Sequence, residues 1–174
     1  MTFKTVRNFD LNEKRVLLRV DLNVPVQDGR VSDTTRIDRL KPTIDYLVEH
    51  GAKIIVLSHF GRPKGKVNPD MSLAFLPPVL TERWNCDVSF SPDCIGADAE
   101  KAASNLNPGD VLLLENLRFH EGEEKNTSAF ATELAKLGDI YINDAFSAAH
   151  RATFSIRAVN AIGLEGFSAV GSVL

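Results

Sequence analysis

Little in this chain invites a metal, a disulfide or a membrane. It has two cysteines, Cys86 and Cys94. They form neither a CxxC redox pair nor a metal-ligand set with a nearby histidine, so both read as ordinary reduced thiols that behave as small hydrophobes. The four histidines, His50, His59, His120 and His150, show no metal spacing, and no metal site is expected. There is no HExxH, GxSxG or GxGxxG segment, which argues against metal-dependent or serine-based hydrolysis. Apolar runs fall far short of the roughly 18 residues of a membrane span. Met1 is followed by Lys4, Arg7 and Asp10 rather than by an apolar segment with a cleavage site. A cytoplasmic protein without membrane contact is expected. A basic excess is also missing: the net charge of -3 argues against a general nucleic-acid surface. Any basic site must be a local concentration of arginine, which suits a small acidic ligand.

What is present is ordinary in bulk and informative in order. With 174 residues, 44% of them hydrophobic and 25% charged, the chain suffices for one well-buried domain. Short runs rich in Val, Ile and Leu predict strands over 15–22, 53–58, 87–90, 111–114 and 139–143. Between them the spacing predicts helices over 36–50, 73–84, 97–106 and 128–137. In the first, Ile37, Leu40, Ile44, Leu47 and Val48 share a face, Ser32 and Asp33 are upstream capping candidates, and Gly51 is the stop. Pro77-Pro78 is tolerable only near the start of the second helix or with a break. Alternating strands and helices predict an α/β fold: a three-layer wound parallel sheet with helices on both faces. Ligands of such sheets sit beyond the carboxyl ends of the strands.

Polar groups collect at those ends. Arg19, Asp21 and Asn23 interrupt an apolar strand. They read either as a structural Arg19 to Asp21 ion pair or as a strand end whose Asp21 and Asn23 bind a substrate hydroxyl. Arg36 opens a helix, where the dipole disfavours a cation, a misfit that an anionic ligand would relieve. His59 and Arg62 flank Gly61 after a buried strand, where a lone histidine reads either as a structural residue or as a donor to a ligand, and the loop over 60–71 reads either as a solvated basic loop or, from its length, as a functional one. Gly61-Arg62-Pro63-Lys64-Gly65-Lys66 is one residue short of a phosphate-binding P-loop, and Val67 stands where Ser or Thr must bind magnesium. Arg118 and Arg151 follow two further strands. Singly, each arginine reads as a surface residue. Together, Arg36, Arg62, Arg118 and Arg151 suit a ligand carrying both a phosphate and a carboxylate, which guanidinium groups bind bidentately.

Five stretches in order carry a resemblance. They are Arg19-Val20-Asp21-Leu22-Asn23-Val24-Pro25, Asp33-Thr34-Thr35-Arg36-Ile37, Ser58-His59-Phe60-Gly61-Arg62-Pro63, Leu114-Glu115-Asn116-Leu117-Arg118-Phe119, and Asn143-Asp144-Ala145-Phe146 with Ala149-His150-Arg151-Ala152. In these the chain closely resembles the N-terminal domain of phosphoglycerate kinase. The resemblance implies a glycolytic and gluconeogenic enzyme that transfers a phosphoryl group between ATP and the carboxylate of 3-phosphoglycerate, giving 1,3-bisphosphoglycerate. It implies that Asp21 and Asn23 bind the substrate hydroxyl region, and that His59, Arg62, Arg118 and Arg151 surround the existing phosphate. Arg36 lies nearest the reacting carboxylate and is the catalytic candidate; Arg19, Phe60, Gly61 and His150 are further candidates. Magnesium-ATP is bound, by the same resemblance, on a separate C-terminal domain, so no cofactor is expected on this chain, which would be an inactive monomer by itself. After Ala152 the segment Thr153-Phe154-Ser155-Ile156-Arg157 departs from the family pattern. The expected division is a substrate-binding domain over 1–152 and a divergent tail over 153–174, from a truncated or frameshifted product. The competing reading is a non-catalytic module that binds another small phosphorylated or carboxylated metabolite.

Overall fold

Val16-Leu17-Leu18 and Ile54-Ile55-Val56-Leu57 become neighbouring strands in the middle of a parallel sheet. The computed structural model describes residues 6–145 and the backbone of 165–167. The sheet strand β1 spans Arg15–Arg19, and a short hairpin of β2, Val26–Gln27, and β3, Arg30–Val31, follows it. Then come α1, Thr35–Glu49; β4, Lys53–Leu57; α2, Pro77–Trp84; β5, Val88–Ser91; and α3, Ala97–Ser104. The chain continues through β6, Val111–Leu114; α4, Glu121–Lys125; α5, Ser128–Ala135; β7, Ile140–Asn143; and β8, Glu165–Phe167. The sheet order is β5-β6-β4-β1-β7-β8, with every neighbouring pair parallel. Among the described residues no helix is long and apolar enough to cross a membrane.

The interior residues of β1, β4 and β6 are apolar and buried because both faces of the sheet are covered there, whereas the edge strand β5 carries two serines. Val16, Leu18, Ile54, Val56, Val111 and Leu113 point into one core with Ile37, Ile44 and Leu47 of α1 and Leu80 and Trp84 of α2. The alternate residues Leu17, Ile55, Leu57, Leu112 and Leu114 point the other way, onto Ala99 and Ala103 of α3 and Phe130 and Leu134 of α5. This is the expected three-layer arrangement. Trp84 is buried between α1 and α2, and its indole N-H donates to the Ile37 carbonyl at 2.9 Å.

Several boundaries differ from the sequence pattern, each for a local reason. β1 stops at Arg19 rather than residue 22, because Leu22 N-H turns to the Ser58 hydroxyl, at 2.9 Å, instead of a strand carbonyl. α2 begins at Pro77 rather than residue 73. Its first two residues are the prolines, whose missing N-H groups have no helical acceptor at that position in any case. α3 and α5 end at Ser104 and Ala135, short of the expected limits. Asp33 accepts Thr35 N-H at 2.8 Å at the head of α1, whereas Ser32 donates to the Pro25 carbonyl and caps nothing. The β2–β3 hairpin turns at Asp28-Gly29 with φ of 51° and 73°, the left-handed pair that an Asp-Gly turn favours.

Candidate functional site

The loops that leave β1, β4 and β6 are tied together by a chain of hydrogen bonds. Arg36, in the first turn of α1, donates through Nη1 to both Asp21 carboxylate oxygens at 3.0 Å and to the Asn23 carbonyl at 3.0 Å. Asn23 Oδ1 in turn accepts Gly61 N-H at 3.0 Å, which links the β1 loop to the β4 loop. The Gly61 carbonyl then accepts from Arg118 Nη1 at 2.9 Å, which reaches the β6 loop. Asp21, Asn23, Arg36, Gly61 and Arg118 thus form one continuous rim beyond the strand ends. Arg62, next to Gly61, is exposed and makes no hydrogen bond or ion pair with other described residues. Arg151 and His150 lie outside the described residues.

The pairing of charges corrects one of the two readings of the first strand. Asp21 pairs with Arg36, and Arg19 pairs with Glu123 of α4 at 3.5 Å. The cation that looked misplaced at the head of α1 therefore has a carboxylate partner already, and its side chain stays 48% exposed. Arg19 is buried, so it lies beneath the rim instead of facing a ligand. Its Nη2 contacts His59 Nδ1 at 3.0 Å. Because a guanidinium only donates, Nδ1 is the acceptor and the imidazole proton sits on Nε2. Burial, reinforced by the Arg19 and Arg118 charges, pushes the His59 pKa down to about 3. His59 is therefore a neutral donor in a cationic rim rather than one more positive charge.

Arg19 Nε and Nη1 and both Glu123 carboxylate oxygens are buried without a hydrogen-bond partner among the described residues. Burial raises the Glu123 pKa against the opposing pull of Arg19. The pair anchors α4 under the site at an energetic cost, since two ions lose water for one long contact.

The braces of the long loop went unread in the sequence. Asn116, fully buried, donates through Nδ2 to the carbonyls of Phe60 at 2.7 Å and Met71 at 2.9 Å, pinning both ends of the loop. Its Oδ1 accepts Arg118 N-H at 3.0 Å. Glu115 accepts from the Ser72 hydroxyl at 2.6 Å, from Leu73 N-H at 2.8 Å and from Asn116 N-H at 2.7 Å. Two adjacent polar residues directly after the apolar run of β6 were the available signal, since buried polar groups need partners. Gly65 N-H bonds the Arg118 carbonyl at 3.1 Å. At Gly65, φ is +75° and a Cβ would collide with Glu121, so glycine is needed there. Phe60 packs edge-on against Phe75, with ring centroids 5.5 Å apart, which makes its ring a core element and leaves its backbone to the loop. An open recess of about 380 Å³ between the hairpin residues Gly29 and Arg30 and the α2 residues Val79 and Arg83 shares none of the rim side chains.

Chemically the rim offers the cations Arg36, Arg62 and Arg118, the neutral imidazole donor of His59 and the carboxylate acceptor of Asp21, while the Glu124 carboxylate lies 4.0 Å from Arg118 Nε. That donor set matches an anion bearing a hydroxyl. The chain is 61% identical over 153 residues to a phosphoglycerate kinase of Sinorhizobium fredii, covering 87% of this chain and 38% of that protein. It is 55% identical over 159 residues to that of Rhodospirillum centenum, covering 91% and 40%. The crystal structure of phosphoglycerate kinase from Pyrococcus horikoshii OT3 superposes with a TM-score of 0.85 at 33% identity, covering 96% of this chain and 42% of that one. The phosphoglycerate kinase of Coxiella burnetii superposes with a TM-score of 0.83 at 36% identity, covering 96% and 41%. The chain thus spans well under half the length of the relatives it matches. Because the phosphoglycerate kinase family model matches residues 6–174, the chain belongs to the phosphoglycerate kinase family.

Proposed function

We propose that residues 1–152 form the 3-phosphoglycerate-binding part of a phosphoglycerate kinase, the enzyme that moves a phosphoryl group between ATP and the substrate carboxylate. The observation that carries this is the hydrogen-bonded rim Arg36–Asn23–Gly61–Arg118, with Arg62 beside it, exposed and without a partner among the described residues. Arg62 and Arg118, with Arg151, hold the existing phosphate by charge-assisted bonds, and neutral His59 adds a donor through Nε2. Asp21 can only accept hydrogen bonds, so beyond the Arg36 and Asn23 N-H donors it already has, what it can add to a ligand is acceptance from a hydroxyl, and the 2-hydroxyl offers one. Arg36 neutralises the substrate carboxylate from the head of α1 while keeping Asp21 in place. That carboxylate is ionised at neutral pH, so these residues need supply no general base. They position the nucleophile and stabilise charge during transfer. Magnesium-ATP is bound outside these residues, and the protein works as a cytoplasmic monomer.

The test is a titration of the chain with 3-phosphoglycerate, its analogue lacking the 2-hydroxyl, and inorganic phosphate, read by amide NMR. The expected order of affinity is 3-phosphoglycerate, then the deoxy analogue, then phosphate, with shifts at Gly61, Arg62 and Arg118. Arg62→Ala should weaken 3-phosphoglycerate binding by about tenfold or more, the value of a charge-assisted bond of ~1.5–3 kcal/mol. It should also leave stability within about 0.5 kcal/mol, because the side chain is exposed. Absence of rim shifts at millimolar 3-phosphoglycerate with the fold intact refutes the assignment.

A further inference from the structure

Away from the arginine rim, the loops leaving β5 and β6 bring a distant histidine onto two side chains that adjoin in sequence. Asp93 and Cys94 follow β5, while His120 comes 27 residues after Asp93, directly past the 3-10 turn Leu117–Phe119. The two strands are hydrogen-bonded neighbours, so their loops emerge side by side. One ligating atom each of Asp93, Cys94 and His120 lies within 4.8 Å of the other two. Spacing along the chain does not reveal this cluster, because His120 meets Asp93 and Cys94 across neighbouring strands.

We propose that Asp93, Cys94 and His120 form a three-ligand site for a borderline divalent cation of the zinc class, with solvent in the fourth position. A thiolate, an imidazole and a carboxylate are the donors such an ion takes, whereas magnesium and calcium favour oxygen alone. The arrangement suits an open site: Cys94 is fully buried at the base, and the Asp93 and His120 side chains, 45% and 31% exposed, form the mouth. The carboxylate is already oriented, since Asp93 Oδ1 accepts Cys94 N-H at 2.7 Å and Ile95 N-H at 3.3 Å. His120 Nε2 lies 2.7 Å from the same oxygen, and its ring rests on Phe130 with centroids 5.5 Å apart.

The charges balance as well. Binding releases the thiol proton to solvent and moves the imidazole proton to Nδ1. Thiolate and carboxylate then cancel the dication, and the ion with its three ligands is neutral overall. His120 closes the segment that carries Arg118, so a bound ion would clamp that side of the rim to β5.

Cobalt(II) tests the site in the intact chain, because a bound thiolate gives a near-ultraviolet charge-transfer band. One equivalent of cobalt should produce the band and one equivalent of zinc should remove it. Cys94→Ala should abolish it, while Asp93→Asn and His120→Gln should each weaken cobalt binding by about tenfold or more. Cys86→Ala, which removes the other free cysteine, should leave the band intact. In the unmodified chain, zinc should also shift the His120 ring and Cys94 Cβ resonances, a readout that does not depend on any variant folding. The proposal is overturned if cobalt gives no band, if the band follows Cys86, or if the His120 and Cys94 resonances do not move with zinc.

Discussion

Replacing Asn116 with alanine should loosen the rim without touching any group that faces a ligand. The side chain makes three hydrogen bonds, to the Phe60 and Met71 carbonyls and from Arg118 N-H. Each is worth about 1 kcal/mol net when solvent can replace the partner and up to about 3 kcal/mol when a buried group is left unsatisfied. Asn116 is fully buried, so some of these groups stay unsatisfied, and the three losses share one loop and do not add in full. A destabilisation of about 3–4 kcal/mol follows. With a urea m-value of ~2 kcal/mol/M, the unfolding midpoint should fall by about 1.5–2 M with m unchanged. Circular dichroism during urea unfolding reads the global loss. Amide exchange at Gly61 and Met71 reads the local one and should rise more than exchange in β4. Asn116→Asp sharpens the test: it keeps the acceptor for Arg118 N-H but turns an oxygen toward two carbonyls, so it should be at least as damaging at neutral pH. A midpoint shift below about 0.3 M for either variant would show that the loop is held by something other than this amide.

The remaining expectations concern charge. The His59 pKa lies at about 3 in the folded chain against an ordinary 6.5, so the unfolded chain takes up a proton first as pH falls. His59 thus contributes stability that is full above pH 6.5 and is lost progressively toward pH 3. His59→Gln should flatten that part of the pH–stability curve, and a His59 ring resonance titrating near 6.5 would contradict the buried neutral imidazole. Glu123 works in the opposite sense, since its raised pKa means that its contribution falls as pH rises from its usual range through the folded value. Arg19→Met leaves that carboxylate buried and unpaired and should cost about 3–5 kcal/mol, whereas Arg19→Met with Glu123→Leu should recover most of the loss. The double variant should still bind 3-phosphoglycerate more weakly, because His59 Nδ1 no longer has its donor. A double variant as unstable as the single one would place the cost elsewhere.

What the sequence revealed and what it hid divide along a physical line. The β1, β4 and β6 cores were legible because doubly covered strands must be apolar at every position, and α1 because its apolar residues recur on one face. Stop points were less legible. Leu22 reads as strand until Ser58, 36 residues away, captures its N-H. Partner choice was hidden in the same way: Arg19 and Asp21 are two apart in sequence, yet they pair with Glu123 and Arg36. The roles of Asn116 and Glu115 depend on carbonyls and amides of a distant loop, and no local pattern records those. The rim arginines stood out because several cations following strand ends is unusual, but the neutrality of His59 followed only from its burial beside Arg19.

The sole tryptophan of the chain is enclosed between α1 and α2, with its indole hydrogen-bonded to Ile37. Its fluorescence is therefore an intrinsic probe of one layer. Emission will redden when the layer bearing Arg36 detaches, yet stay blind to α3 and α5 peeling from the opposite side. Any difference between fluorescence and circular dichroism transitions would then reveal in which order the two layers separate from the sheet.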